Sequence, residues 1–301
     1  MPYANCPSAA CPIPRVAAIH DLSGFGRTSL TVAIPVLSSL GIQVCPLPTA
    51  VLSSQTSDVD DFCFVDLSTH MQDFLEHWKR LGLTFDAVYS GFLGSAGQAA
   101  VIRECIESCL IPGGLALVDP VLGDNGSLDP TMTPDIVKAM SGLIRHAHCI
   151  TPNITEAAFL LKKTYPERPM PVSQMKEWLH ALSALGPERV VITSAPLAGF
   201  VGKTVVVAFD ARQNRYWKVV GERIPVFYPG TGDTFASVLC GSLLLGESLP
   251  SAMDRAARFV TLGIRATFGH NLPGRNGILL ERVLPTLQAP LTNSTYSLLD
   301  E

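Results

Sequence analysis

Short apolar runs alternate with segments of helical period along almost the whole chain, and this restricts the fold more than any other feature. "RVAAIH" (Arg15–His20), "DAVYSG" (Asp86–Gly91), "LALVDP" (Leu115–Pro120) and "RVVITSA" (Arg189–Ala195) have the length and continuous apolar character of strands buried on both faces. Helical patterns follow them over residues 68–81, 96–110, 133–146, 154–162 and 172–185. In the first of these, Phe74, Leu75, Trp78 and Leu81 fall on one face. "QVCPLPTAV" is a further strand whose prolines place it near an edge. "FVGKTVVVAFD" and "RYWKVVGERI" form a hairpin around "ARQN", and helical stretches close the chain at 232–246, 251–268 and 277–286. Strand–helix alternation requires a mostly parallel sheet with helices on both faces. The fold class is therefore α/β, a three-layer αβα sandwich with a mostly parallel central sheet and an antiparallel edge hairpin.

No composition break divides the chain, so a single domain is expected over residues 15–290, between a flexible N-terminal tail (1–14) and a C-terminal tail (291–301). Hydrophobic residues make up 47% and charged residues 16%, enough apolar material for a large core. A net charge of −4 does not suit a nucleic-acid or anionic-membrane partner. The eight cysteines include no C-x-x-C pair, and the N-terminus lacks a signal-peptide pattern. A reducing, cytoplasmic compartment is expected.

In such sheets ligands bind beyond the carboxyl ends of the strands, and the polar clusters fall there. "YPGTGDTF" runs from a turn into a helix. Gly230, Thr231 and Gly232 can offer backbone amides to an anion, aided by the helix dipole, and Asp233 can accept a proton from an attacking hydroxyl. The bland alternative is a favourable first-turn acid, and a G-x-G-D string arises by chance in about one chain in ten of this length. In "VDPVLGDNG", Asp119 and Asp124 suit a hydrated magnesium ion or, equally, a turn. In "ITPNITEAAFLL", Asn153 and Glu156 match a capping box, and on local grounds that outweighs a role at phosphates or a metal. Asp21 and Ser23 offer polar anchors at the Gly-rich turn "GFGRTS". A dinucleotide site is excluded there, because "CPLPTAV" holds no acid where the ribose partner belongs. "VGKT" lacks the first P-loop glycine, and no G-x-S-x-G is present.

Taken in order, the Gly-rich first turn, D-P-V-x-G-D, T-P-N-x-x-E and G-T-G-D resemble the ribokinase superfamily over roughly residues 15–285. "HDLSGFGRTSL", "PTAVLSSQTS" and "SGFLGS" resemble its pyridoxal kinases. This resemblance implies ATP-dependent phosphorylation of the hydroxymethyl group of pyridoxal, pyridoxine or pyridoxamine, with Mg2+ and a monovalent cation such as K+; the sheet edge at the hairpin points to a partner, expected to be a second copy in a homodimer. It implies Asp233 as catalytic base and Gly230, Thr231 and Gly232 as anion hole. Asn153, Thr193, Ser194 and Tyr228 would contact the nucleotide, Asp21, Ser23, Thr56 and Phe92 the substrate, and Asp119, Asp124 and Glu156 the metal. Two positions depart from the pattern. Gln55 stands where many pyridoxal kinases have histidine, and Phe92 where many have tyrosine. The D-x-S-G turn also resembles hydroxymethylpyrimidine kinases, and a non-catalytic binding protein on the same fold is a third alternative.

Overall fold

The computed structural model describes residues 12–57, 59, 61–270, 272–291 and 294–300. Most of the expected N-terminal tail therefore lies outside the described residues. The chain opens with β1 (Arg15–Ser23), α1 (Leu30–Ser39), β2 (Gln43–Leu52), β3 (Phe64–Asp66), α2 (Ser68–Arg80), β4 (Phe85–Ser90) and α3 (Gln98–Cys109). It continues through β5 (Leu110–Val118), a two-residue hairpin of β6 (Gly123–Asp124) and β7 (Ser127–Leu128), α4 (Pro134–Leu143), β8 (Cys149–Ile150), α5 (Ile154–Leu161) and α6 (Val172–Ser183). The last third holds β9 (Arg189–Ile192), β10 (Lys203–Asp210), β11 (Arg215–Glu222), α7 (Thr231–Leu244), α8 (Leu249–Phe268), α9 (Leu280–Val283) and β12 (Tyr296–Leu298).

The main sheet runs β12-β11-β10-β9-β8-β5-β4-β1-β2-β3. Strands β2, β1, β4, β5, β8 and β9 are parallel, while β3 and the β10–β11–β12 side are antiparallel. Helices α2 to α6 cover one face, with Leu75, Ile102, Ile136, Ala157 and Met175 buried against it. Helices α1, α7, α8 and α9 cover the other through Val32, Val238, Phe259 and Leu280. After β1 the chain first adds β2 on one side and then β4, β5, β8 and β9 on the other. The crevice at the end of β1 is therefore the topological switch point, where open α/β sheets bind ligands.

Three local expectations change, while β2 does lie next to the sheet edge. Of the stripe proposed on α2, Leu75 is buried, but Phe74 is 45% and Leu81 59% exposed, because the face that meets the sheet runs through Met71 and Leu75. The prolines of β2 lie opposite Ala18 and His20 of β1, whereas β3 pairs only with Ala50, Val51 and Leu52, so no ladder donor is needed on their outer side. The final helix expected over 277–286 is broken into α9 and flanking 3-10 turns at Gly274–Asn276 and Leu284–Gln288. Residues 296–298, read from the sequence as tail, pair with Trp217, Lys218 and Val219 of β11. The segment is pinned by buried Leu299 and by Thr295, whose amide donates to Asp254 at 3.2 Å. Among the described residues six cysteines are free thiols, and no helix is long and apolar enough to cross a membrane.

Candidate active site

Helix α7 is buried for ten consecutive residues, Thr234 to Leu243, and its N-terminus opens into the crevice. The turn that starts it is built on backbone contact. Gly230 has φ +78°, and a Cβ there would lie 1.8 Å from the Arg27 carbonyl oxygen, so only glycine fits. Thr231 Oγ1 donates to the Tyr228 carbonyl (3.1 Å) and Thr234 Oγ1 to that of Gly230 (2.7 Å). The first helical bond is from Thr234 N to Gly230 O, so the amides of Thr231 and Gly232 precede it. Gly232 faces open space. Asp233 follows, with its carboxylate pushed up to about 6, chiefly by burial. The Ser29 and Asp233 backbone amides favour its charged form, and the charge of Asp21 opposes it.

Asp21 is buried at the end of β1 and accepts from Ser23 Oγ at 2.9 Å. Burial raises its pKa, against hydrogen bonds from Ser29 and Ser23, and the charge of Asp129 raises it further. Ser29 thus serves two acids, its side chain Asp21 and its backbone Asp233, from the left-handed φ of +51°. A non-glycine residue in that region carries strain that its surroundings must maintain. Thr56 donates to Asp129 Oδ2 at 3.1 Å. Gln55 is buried and folds onto Ser57, accepting from its amide at 2.6 Å and donating to its carbonyl at 2.5 Å. Phe92, which the resemblance assigns to the substrate side, lies two residues past the end of β4. It is 6% exposed and belongs to the core on the α2–α3 face, so little of its ring is open to a ligand.

Asp119 lies just past β5, accepting from Thr151 Oγ1 at 2.9 Å. Burial, then the charge of Asp233, pushes its carboxyl up to about 7. Glu156 completes the capping box of α5: it accepts from Asn153 N (2.7 Å) while Asn153 Oδ1 accepts from Glu156 N (3.0 Å). It also accepts from Leu122 N at 3.2 Å. Burial and the charge of Asp119 hold it well above the usual carboxylate range. Asp124 sits exposed on the small hairpin, capped by Asn125 N at 2.8 Å. No group of three or more His, Cys, Asp or Glu side chains forms a metal cage among the described residues. Magnesium commonly binds through one or two carboxylates with waters and phosphate oxygens. The buried acids Asp119 and Glu156 fit that kind of seat, with Asp124 within electrostatic reach of Glu156 at its rim.

On the remaining side Asn153 bridges Thr193 in parallel register, Asn153 Nδ2 donates to Gly123 O at 2.8 Å, and Ser194 has φ +52°. Tyr228 is buried at 7% exposure, so what it offers the turn is mainly its carbonyl. The crevice therefore brings together Asp21, Asp119, Asp233 and Glu156: Asp233 feels the charge of Asp21, Asp119 that of Asp233, and Glu156 that of Asp119. The residue types gave no hint of Ser29 or Tyr89. Tyr89 lies fully buried beneath the acids, its hydroxyl 3.2 Å from Ser237 Oγ, and its pKa is raised by burial and by Asp119 and Asp233. Against it packs His20, edge-on at 4.3 Å and held neutral, with burial lowering its pKa to about 3. The arrangement can seat an anion on the α7 amides beside a carboxylate able to accept a proton, with a cation seat next to both.

The sequence profile of the phosphomethylpyrimidine kinase family matches residues 33–276. The structure of a candidate phosphomethylpyrimidine kinase from Bacteroides thetaiotaomicron, in an orthorhombic form with pyridoxal, is 49% identical with a TM-score of 0.91. That match covers 95% of this chain and 99% of the other. The pyridoxal kinase of Lactobacillus plantarum is 33% identical with a TM-score of 0.83, over 92% and 97% of the two chains. The pyridoxine/pyridoxal/pyridoxamine kinase of Bordetella avium is 28% identical over 84% of this chain and 85% of its own.

Proposed function

Because this chain belongs to the phosphomethylpyrimidine kinase family, we propose that it is an ATP-dependent kinase that phosphorylates the 5′-hydroxymethyl group of pyridoxal, pyridoxine or pyridoxamine. The observation that carries the choice of acceptor is the likeness, at 49% identity, to a protein solved with pyridoxal. The site supports the chemistry. Phosphoryl transfer needs positioning and charge stabilisation more than covalent participation by the protein. Asp21 and Ser23 hold the heterocycle at the end of β1, so that its hydroxymethyl oxygen faces Asp233. Asp233 takes the hydroxyl proton as that oxygen attacks the γ-phosphorus, the bond to the β–γ bridging oxygen breaks, and ADP leaves. The Thr231 and Gly232 amides and the α7 dipole stabilise the phosphoryl oxygens. Asn153, Thr193 and Ser194 line the nucleotide side. Asp119 and Glu156, with Asp124 at the rim, would hold magnesium, which neutralises phosphate charge when bound, with a monovalent cation such as K+ nearby. A homodimer in a reducing cytoplasm, where ATP is supplied and the free thiols are stable, fits the reading.

A panel assay tests this. Purified protein with ATP and magnesium is given pyridoxal, pyridoxine, pyridoxamine and hydroxymethylpyrimidine in parallel. Faster turnover of a B6 vitamer is expected. Preferential turnover of the pyrimidine would replace the acceptor with hydroxymethylpyrimidine, the alternative suggested by the family's description. Vitamer binding with no turnover would favour a non-catalytic protein.

A further inference from the structure

Three separate backbone segments meet at the α7 turn, and one side chain ties two of them together. Arg27, in the turn between β1 and α1, donates from Nε to both carboxylate oxygens of Glu281 on α9 at 3.0 Å. Its Nη1 donates to the Asn276 carbonyl at 2.8 Å. The main chain of Arg27 abuts the same neighbours. Its carbonyl leaves no room for a Cβ at Gly230. At Gly277, where φ is +69°, a Cβ would lie 3.2 Å from Arg27 Cβ and 3.3 Å from the Pro229 carbonyl. Two residues beyond Arg27 is Ser29, whose backbone favours the charged form of Asp233 and whose side chain favours that of Asp21.

The Arg27 and Glu281 side chains are 26% and 67% exposed. An ion pair so open to water contributes little to stability, so its geometry is the more informative property. A planar guanidinium engaged at three acceptors fixes distance and angle in a way a flexible ammonium does not. We propose that Arg27 is a positioning residue: it locks the acceptor-side turn, which carries Ser29, against the phosphate-side turn at Gly230. Asp233 and the anion-binding amides are thereby held at one spacing. The consequence for turnover rests on the kinase reading above; the structural lock does not.

The test uses full-length Arg27→Ala, Arg27→Lys and Glu281→Gln. Hydrogen exchange reads the lock without any turnover. Exchange over residues 24–31 and 228–233 is expected to rise about tenfold in Arg27→Ala, with the rest of the sheet unchanged. In the kinase assay kcat is expected to fall by about 30-fold or more while KM for ATP stays within about threefold, since misalignment of about 1 Å acts on the transition state. ATP hydrolysed per acceptor phosphorylated is expected to rise, because the donor still docks while the hydroxyl no longer lines up. Arg27→Lys and Glu281→Gln, each keeping part of the lock, should fall between. Unchanged exchange at the two turns overturns the proposal, whether or not wild type is active. So does a kcat loss accompanied by global unfolding and an unaltered hydrolysis ratio, which would make Arg27 merely structural. A wild-type protein inactive on every acceptor would sink the kinase reading alone.

Discussion

Gly232→Ala separates the chemistry of the α7 turn from its folding. Gly232 is the second residue of the helix, its backbone is not left-handed, and an added Cβ would meet nothing within 4 Å. Relieving the entropic cost of a helical glycine should stabilise the protein by about 0.5 kcal/mol. For a chain of this size that raises Tm by about 1–2 °C. The new methyl would, however, stand in the space through which a phosphate oxygen must come within about 2.9 Å of the backbone amide. A displacement of about 1 Å is worth about 100-fold in rate. Thermal unfolding and steady-state kinetics on one preparation should therefore move in opposite directions, with Tm up and kcat/KM for ATP down by about two orders of magnitude. Gly230→Ala is the contrast. Its Cβ would start 1.8 Å from the Arg27 carbonyl and must retreat beyond 3.0 Å, from a φ that already disfavours alanine. It should lose at least about 2 kcal/mol of stability together with its activity. If Gly232→Ala retains full activity, no phosphate docks on that amide, and the anion hole is misassigned.

Asp233→Asn should cut kcat by about 10²- to 10⁴-fold with little change in KM for ATP; turnover at the wild-type rate would remove Asp233 as the base. Since the base must be ionised and its pKa lies near 6, wild-type kcat/KM should fall about tenfold per unit below pH 6, and a limb centred near 4 would contradict the burial that raises it. For Asp119, raised from 3.8 to about 7, the folded state favours the protonated acid, so its contribution to stability is complete below about pH 4 and lost as pH rises through 7. Asp119→Asn, without nucleotide or divalent cation, should accordingly raise Tm at pH 8 but not at pH 4, and an equal shift at both would refute the desolvation argument. With Asp21, Asp129 and Asp233 on the acceptor side, a hydroxymethyl heterocycle that already bears a phosphate should be used at least about 100-fold less efficiently than the unphosphorylated one, by direct comparison of kcat/KM.

The layered fold was legible because apolar strand runs and helical stripes are local signals, and the strand ends could be located from them. Asp21, Asp119 and Asp233 were legible for the same reason: each follows directly on such a run or opens such a helix. Glu156 shows how two readings can coincide. Its capping box forms as the local pattern requires, and the same carboxylate is buried and feels the charge of Asp119, 37 residues earlier in the chain. No local rule reveals that second fact. Ser29 was hidden because its partners stand 8 residues before it and some 200 after, and its left-handed backbone has no signature in a serine. The burial of Phe92 was not legible because an aromatic beside a glycine turn looks the same whether its ring faces the crevice or the α2–α3 core. The strand at residues 296–298 was missed since so short a run acquires strand character only by pairing with β11.

The distribution of rigidity across the crevice follows from these placements. The donor seat is the end of a helix buried on every side, with its first turn stitched by Thr231 and Thr234 and held against the Arg27 carbonyl. It uses backbone amides, which side-chain substitution leaves in place. The acceptor seat is different. Its walls are Ser23, Ser29, Thr56 and Asp129, joined by single hydrogen bonds between side chains or turns, and Gln55 spends its amide on Ser57 rather than on a ligand. Substitutions there can reshape the pocket without disturbing α7. A family on this fold can therefore keep one phosphoryl donor while changing the ring it phosphorylates; of the two positions that depart from the pyridoxal kinase pattern, Gln55 stands beside Thr56 on that side, whereas Phe92 is withdrawn into the core.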